Sequence, residues 1–398
     1  MPFAYSGLAV GPAEAILRGM TDVASARIRS VDVVRGVVMV LMAIDHVRVY
    51  SGVPAGGPTP GIFFTRWVTH FCAPAFVFFA GTSAFLYRTS AGDPAKAARF
   101  LLTRGALLVV LEVTLIKFFW TFHLDYSSFV LAGVIWMLGW SMILLAPFVR
   151  FSARTVGLLG IAIVLGQQLF GLIPRAIPET ARASIATVWN FIYPTGDPGW
   201  PLVSMLYVIV PWIGVMAAGY GFGAILRLPE ERRRRWCLWI GLAMTLAFLA
   251  IAGVIVAMQH PQNGPPWWAR LLGQQKYPAS QLFLLMTLGP AIALVPLAER
   301  ARGWLSNVFE TFGRVPMFYY LLHIPTIHIA AVIVDKIRGH FDAQWFATAP
   351  YTSVPGAERW SLPLLYLVFA AVVMLLYFPC RWYANLKARR RSWWLRLI

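Results

Sequence analysis

The sequence predicts an all-α fold, a polytopic integral membrane helix bundle of about ten spanning helices with both termini cytoplasmic. Three observations predict it. The 398 residues are 59% hydrophobic and only 13% charged, where a soluble domain carries about 25% charged residues. Apolar windows of about 20 residues, long enough to cross a hydrocarbon core, recur along the chain. Lys and Arg alternate between rich and poor connecting segments, the pattern expected when loops fall on opposite sides of a membrane.

The windows lie at 32–50, 62–87, 100–119, 128–148, 155–173, 201–226, 237–258, 279–298, 315–334 and 361–383. The opening residues, MPFAYSGLAVGPAEAILRGM, lack a basic start followed by a sustained apolar core, so they do not read as a cleaved leader. Of the 34 Lys and Arg, 23 fall on one side of this alternation and 10 on the other, with Arg35 inside the first helix. The richer side should be cytoplasmic, and an even number of spans returns both termini there. The chain then divides into a cytoplasmic tail (1–30), a transmembrane domain (31–385) and a basic cytoplasmic tail (386–398). The net charge of +18 follows largely from this asymmetry and favours anionic lipid; nucleic acid is not an expected partner. Cys72, Cys237 and Cys380 have no CxxC neighbour, and an odd number in apolar sequence argues against a disulfide framework. Gly219-x3-Gly223 has the spacing that lets helices approach closely, or lets backbone approach a ligand.

The first helix, RSVDVVRGVVMVLMAIDHVRVY, is the unusual one. A charge near the bilayer centre costs about 3 kcal/mol on insertion scales, yet this segment keeps Asp32, Arg35, Asp45, His46 and Arg48. At about 100° per residue, Asp32, Arg35, Met39, Met42, His46 and Tyr50 share a face, with Arg48 nearly opposite. Asp32 and Arg35 stand at i, i+3, as an interfacial ion pair or as a charged inner handle. His46 lies eleven residues further on, about 16 Å toward the outer surface, and histidine is the side chain suited to moving a proton near neutral pH. Asp45, His46 and Arg48 read either as a wet helix end or as a site.

Other polar groups gather on the outer side. Arg66 and His70 are one turn apart in the second helix, and His123 and Asp125 follow the third. WNFIYPTGDPGWP offers Asn190, Tyr193, Asp197 and Trp200; QHPQNGPPWWARLLGQQKYPASQ offers His260, Trp267, Trp268, Arg270 and Lys276. Loop aromatics are interfacial anchors by default, and as a set they are also suited to stacking on a sugar. Glu112, an acid inside the third helix, is expected to meet a bundle-facing Arg or His. His323 and His328 are five residues apart, a poor fit to one metal, so each is expected to bond a neighbouring helix. No metal-ligand spacing, GxSxG, HExxH, P-loop or GxGxxG occurs; no metal is expected, and hydrolase, metalloprotease and ATPase readings lose support.

RIRSVDVVRGVVMVLMAIDHVR, followed by FFTRWVTHFCAPAFVFFAGTSAFLYR, resembles the heparan-α-glucosaminide N-acetyltransferase catalytic-domain family, and most closely its bacterial membrane branch. KYPASQLFLLMTLGP and GRVPMFYYLLHIPTIH are similar to that branch too, extending the likeness over roughly residues 27 to 385. The resemblance implies transmembrane acetyl transfer in a bacterial cytoplasmic membrane. Acetyl-CoA would be bound from the cytosol, and an amino or hydroxyl group of a cell-envelope glycan would be acetylated outside. Ser30, Asp32, Arg35 and Gly36 match the family's opening, and Asp45 stands where the lysosomal members carry Asn. Those members place a catalytic His in the loop after the first helix; here that loop, SGVPAGGPTPG, has none, so His46 or His70 would take the role. On this reading His46 is the general base, or a nucleophile forming an acyl-histidine. Asp45 and His70 orient it or relay its proton. Asp32, Arg35, Arg29 and His323 hold CoA, whose pantetheine arm is of the same order as the Arg35–His46 separation. Arg48, Arg66, Asp197, Trp267 and Trp268 face the acceptor. A rival from another class is a transporter or lipid-linked-glycan flippase using the same charges as a path, although no internal repeat is visible. A membrane scaffold has no feature in its favour, and a homodimer is compatible with the sequence.

Overall fold

A helix that keeps charged groups in a membrane needs protein around it, and α1 (Arg29–Ser51) has it. The structure is a computed structural model describing residues 28–57, 59–127, 130–194, 203–259, 264–340, 354–390 and 395. Most of α1 is buried along its whole length. In chain order it is followed by α2 (Pro60–Trp67), a 3₁₀ turn (Val68–Phe71), α3 (Cys72–Ala91), α4 (Pro94–Leu111), a π-helical turn (Glu112–Ile116) and α5 (Lys117–Thr121). Next come β1 (Val130–Ala132), α6 (Val134–Leu145), α7 (Ala153–Leu165), α8 (Gln167–Phe170), α9 (Glu179–Ile192) and β2 (Val203–Met205). The second half holds α10 (Trp212–Leu226), α11 (Glu230–Met258), α12 (Trp267–Leu272), α13 (Gln281–Arg300), α14 (Trp304–Arg314), α15 (Pro316–Ile337) and α16 (Leu362–Arg389). Helix α1 packs against α3, α13, α14, α15 and α16.

The closest of these crossings depends on glycine. A Cβ on Gly36 would lie 1.7 Å from the Phe309 carbonyl oxygen of α14, and one on Gly313 would lie 1.7 Å from the Asp32 carbonyl oxygen. A second crossing joins α3 to α10. There Gly219, in the pair singled out from its spacing, faces the Phe78 carbonyl oxygen at 2.0 Å from where its Cβ would stand. Gly219 therefore serves helix packing.

All-α describes the architecture, with two three-residue strands as the exception among the described residues. Two expected spans differ from their windows. The helices in 128–148 and 201–226 begin only at Val134 and Trp212, because the residues before them are partly extended: β1 and β2 pair in parallel, Val130 opposite Val203 and Ala132 opposite Met205. Backbone without water must find partners within the protein. Continuing from β2, the Leu206 and Tyr207 N–H groups donate to the Ala132 carbonyl and those of Ile209 and Val210 to the end of α9. The window at 155–173 is a bent pair, α7 and the segment from Gln167, at 56°. Three helices lie outside the windows: α9, the short α12, and α14, whose apolar residues are too few for a span but line one side.

Among the described residues, five helices are long and apolar enough to cross a membrane, or six counting the bent pair. Those at the rim show lipid-facing chemistry: only 17% of the apolar window of α11 is buried, and Trp239, Leu242, Leu246 and Val254 are exposed. The ten-span arrangement predicts that the basic start of α11 and the segment before α12 lie on opposite sides of the membrane. Arg234 and Gly264 are both exposed, and the three native cysteines are buried. Single cysteines at those two positions, in a cysteine-free background, should therefore react with an impermeant thiol reagent from opposite faces. Labelling of both from outside intact cells would refute the arrangement.

Candidate functional site

The polar residues of α1 have different partners. Asp32 is buried, with a carboxylate oxygen 4.0 Å from the Arg35 guanidinium. Arg35 reaches across to α3, donating to the Phe79 carbonyl at 2.6 Å and the Ser83 hydroxyl at 2.5 Å. Arg29 is committed elsewhere. It pairs with Glu310 at 2.8 Å and donates to the Ala301 carbonyl and Ser306 hydroxyl, each at 2.7 Å, tying the start of α1 to α14. Its guanidinium is held mainly by protein groups, and Arg35 is the α1 cation that lines the inner cavity described below.

One turn before its end, α1 presents His46 to α15. The His46 Nδ1 lies 2.6 Å from the His323 Nε2, and the His323 Nδ1 lies 2.6 Å from the Tyr320 carbonyl oxygen. A carbonyl only accepts, so the His323 Nδ1 carries a proton. In the neutral ring Nε2 is then an acceptor, and the proton between the two imidazoles belongs to His46 Nδ1. The chain fixes the tautomer of His46 and leaves its Nε2 with a lone pair. His323 is fully buried, whereas His46 is half-buried. The Trp120 ring packs edge-on against His46 at 5.0 Å, and the Tyr50 hydroxyl donates to the Trp120 carbonyl at 2.7 Å. His328 faces the Phe119 carbonyl at 3.1 Å. Both α15 histidines thus contact a neighbouring helix, and His323 is the group that orients His46.

Asp45, adjacent in sequence, points to a different partner and pairs with Arg48 at 2.9 Å; Arg48 also donates to the Val53 carbonyl at 3.0 Å. His70 is buried against Phe283, and its Nδ1 has no hydrogen-bond partner among the described residues. Among the described residues neither Asp45 nor His70 hydrogen-bonds His46: Asp45 is turned to Arg48 and His70 to Phe283.

Two cavities lie along α1, one before this histidine and one beyond it, and His46 is in the wall of neither. The inner one, about 320 Å³, is lined by Arg35, Met39, Arg104, Tyr320 and Lys387 among apolar side chains. The Arg104 Nε is buried without a hydrogen-bond partner among the described residues. Tyr320, whose carbonyl holds His323, forms part of its wall. The outer cavity, about 290 Å³, is lined by Asp45, Arg48, Arg66 and Tyr277 with Val49, Val53, Ala55 and Leu206. Both sit at the lower end of the roughly 300–1,000 Å³ typical of small-molecule sites. Along α1, His46 stands about 10 Å from Met39 on the inner wall and beside Asp45 on the outer one.

The remaining candidates are spread more widely. Trp268 stacks on Phe64 at 5.6 Å, two residues before Arg66 and so on the other side of α2, while Trp267 is exposed. Asp197, Trp200 and His260 lie outside the described residues. Lys117 donates to the His123 and Asp125 carbonyls, so the charge there holds a loop in shape. Glu112 meets no Arg or His among the described residues. Its carboxylate accepts from the backbone N–H groups of Ile135 and Trp136, at 3.0 and 3.2 Å, and so satisfies the amides at the start of α6. A Cβ on Gly133 would come within 2.4 Å of that carboxylate.

Sequence reasoning left Arg104, Tyr320 and Lys387 out of the site, and named Lys276 among the outer polar groups without giving it a role. Arg104 and Lys387 read as membrane-edge charges, and Tyr320 acts through its backbone, for which no side-chain signal exists. Residues 27–239 match the model of a family described as heparan-alpha-glucosaminide N-acetyltransferase, catalytic. That stretch runs from the start of α1 into α11, leaving His323 and Lys276 beyond it. No curated protein matches the chain.

Proposed function

The chain belongs to the heparan-alpha-glucosaminide N-acetyltransferase catalytic family, and from that premise we propose that it transfers an acetyl group from cytosolic acetyl-CoA to a glycan amine or hydroxyl on the far side of a bacterial cytoplasmic membrane. The observation that carries this reading is the oriented His46–His323–Tyr320 chain between two cavities. A base with a defined free nitrogen, placed between the two cavities along α1, is what acyl transfer between separated substrates needs.

The chemistry follows from the tautomer. His46 Nε2 takes the proton of the acceptor amine or hydroxyl as that atom attacks the thioester carbonyl. The tetrahedral intermediate collapses with cleavage of the C–S bond, and the imidazolium returns the proton to the departing CoA sulfur. While His46 is doubly protonated, its Nδ1–H still donates to His323 Nε2, and a charge-assisted bond is stronger than a neutral one. Acyl-histidine formation would use the same nitrogen. The inner cavity suits the donor: Arg35, Arg104 and Lys387 are cations for CoA phosphates, and the apolar lining suits the pantetheine arm. The outer cavity then receives the acceptor.

Arg35→Ala and Arg104→Ala should each weaken acetyl-CoA binding while the protein still inserts. Loss of a hydrogen bond to a charged group costs about 1.5–3 kcal/mol, roughly ten- to a hundredfold in affinity. Titration of purified variants with acetyl-CoA measures it, and unchanged affinity in both folded variants would remove the donor from this cavity. Movement of a glycan without thioester cleavage would favour the transporter instead.

A further inference from the structure

The outer cavity carries a charge imbalance that the acyl-transfer chemistry does not use. Its carboxylate, Asp45, is neutralised by Arg48 at 2.9 Å. Two further cations share its electrostatic environment, Arg66 and Lys276. The Arg66 guanidinium lines the cavity and makes no hydrogen bond or ion pair among the described residues. Lys276 is only 7% exposed. Its Nζ makes no hydrogen bond or ion pair among the described residues, and it lies over two rings, Tyr277 at 5.2 Å and Tyr207 at 5.8 Å. Tyr277 is itself part of the cavity wall, as is Leu206 beside Tyr207. The same two cations act on the buried His70, whose Nδ1 is unpartnered.

Burying a charge without a counter-charge is costly, and proteins keep such groups where a ligand supplies the missing partner. Ring faces ease the cost for an ammonium without replacing a hydrogen-bonded anion. With Asp45 already taken, the cavity lacks one or two negative charges. We propose that it is an anion subsite, and that the acceptor is an acidic sugar whose carboxylate or phosphate sits between Arg66 and Lys276. Identifying the occupant as the acceptor rests on the acyl-transfer reading; the anion subsite does not. Arg66 supplies a planar fork for two oxygens and Lys276 a compact point charge. The anion would anchor the sugar at the outer wall and leave its amine or hydroxyl to be turned toward His46.

The test uses full-length protein in phosphatidylcholine nanodiscs, titrated with glucose, glucuronate and glucose 6-phosphate. At least one acidic sugar should bind tenfold or more tightly than glucose, with affinity falling as salt rises. The preferred one identifies the anion as carboxylate or phosphate. Arg66→Gln and Lys276→Met should each weaken that binding at least tenfold, with acetyl-CoA binding unchanged. The Lys276→Met protein without ligand should melt no lower than the wild type, since an unpaired buried charge has been removed. Equal binding of glucose and both acidic sugars would overturn the proposal, and so would a lowered melting temperature in Lys276→Met, which would make Lys276 a structural residue. A stabilisation dependent on Lys276 that appears only in phosphatidylglycerol nanodiscs would assign the anion to a lipid headgroup and overturn the acidic acceptor. The two readings fail separately: loss of CoA release in every assay would sink acyl transfer, whereas charge-blind sugar binding would sink the subsite.

Discussion

His46→Ala should lower the rate of CoA release at saturating acceptor by about a hundredfold or more, the scale for losing a general base, with acetyl-CoA binding kept. The reason is positional. His46 is the imidazole whose tautomer a neighbour sets and whose second nitrogen stays available, 2.6 Å from His323 on one side and half-buried on the other. His70 lacks such an orienting bond, so His70→Ala should cost less. His323 is a positioning residue, and its substitutions separate orientation from bulk. His323→Leu removes the acceptor for His46 Nδ1–H and should cost roughly tenfold in turnover, the lower end for losing a bond to a charged group. His323→Gln, whose amide oxygen can accept the same hydrogen, should retain most of the rate. CoA release, acetyl-CoA binding and thermal stability of the variants decide the matter. Normal turnover in His46→Ala with a dead His70→Ala would reverse the assignment, and activity in both would leave Asp45 as the next candidate.

The second large effect is structural. Gly36→Val should abolish recovery of folded protein, because a Cβ at that position would lie 1.7 Å from the Phe309 carbonyl oxygen and only 2.9 Å from its Cα. Backbone cannot give way as a flexible side chain does, so α1 and α14 must separate. Overpacking alone costs about 1–3 kcal/mol, and here the displaced helix is the one that carries Arg35 and His46. Arg29, which ties the same two helices together, would lose its geometry as well. Gly253→Ala in α11 is the control. Nothing lies within 4 Å of its would-be Cβ, and replacing glycine in an exposed helix should leave stability equal or raise it by about 0.5–1 kcal/mol. Detergent size-exclusion profiles and melting temperatures of the two variants measure the contrast; a monodisperse Gly36→Val protein of normal stability would mean that the α1–α14 crossing is looser than described.

The polar face of α1 was legible because it is a local property: helix periodicity alone aligns Arg35, Met39 and His46. The presence of a membrane bundle was legible for a similar reason, since composition and apolar run length act residue by residue. The start of α6 was not, because an apolar run does not reveal that its first residues pair as a strand with Val203–Met205. Glu112 was recognisable as a buried acid needing a partner, yet the partner is two backbone amides, which carry no residue identity.

Sequence by itself determined the helical membrane class, the family, and the polar positions available along the first helix. Tertiary structure alone decided what those positions do. It set His323 against His46 across 277 residues, gave Asp45 to Arg48, spent Arg29 on Glu310 and left Lys276 buried beside two tyrosine rings. The physical reason is that periodicity fixes only where a side chain points relative to its own helix axis. What it meets there depends on the rotation and register of the neighbouring helices, and close approaches such as Gly36 on Phe309 set those.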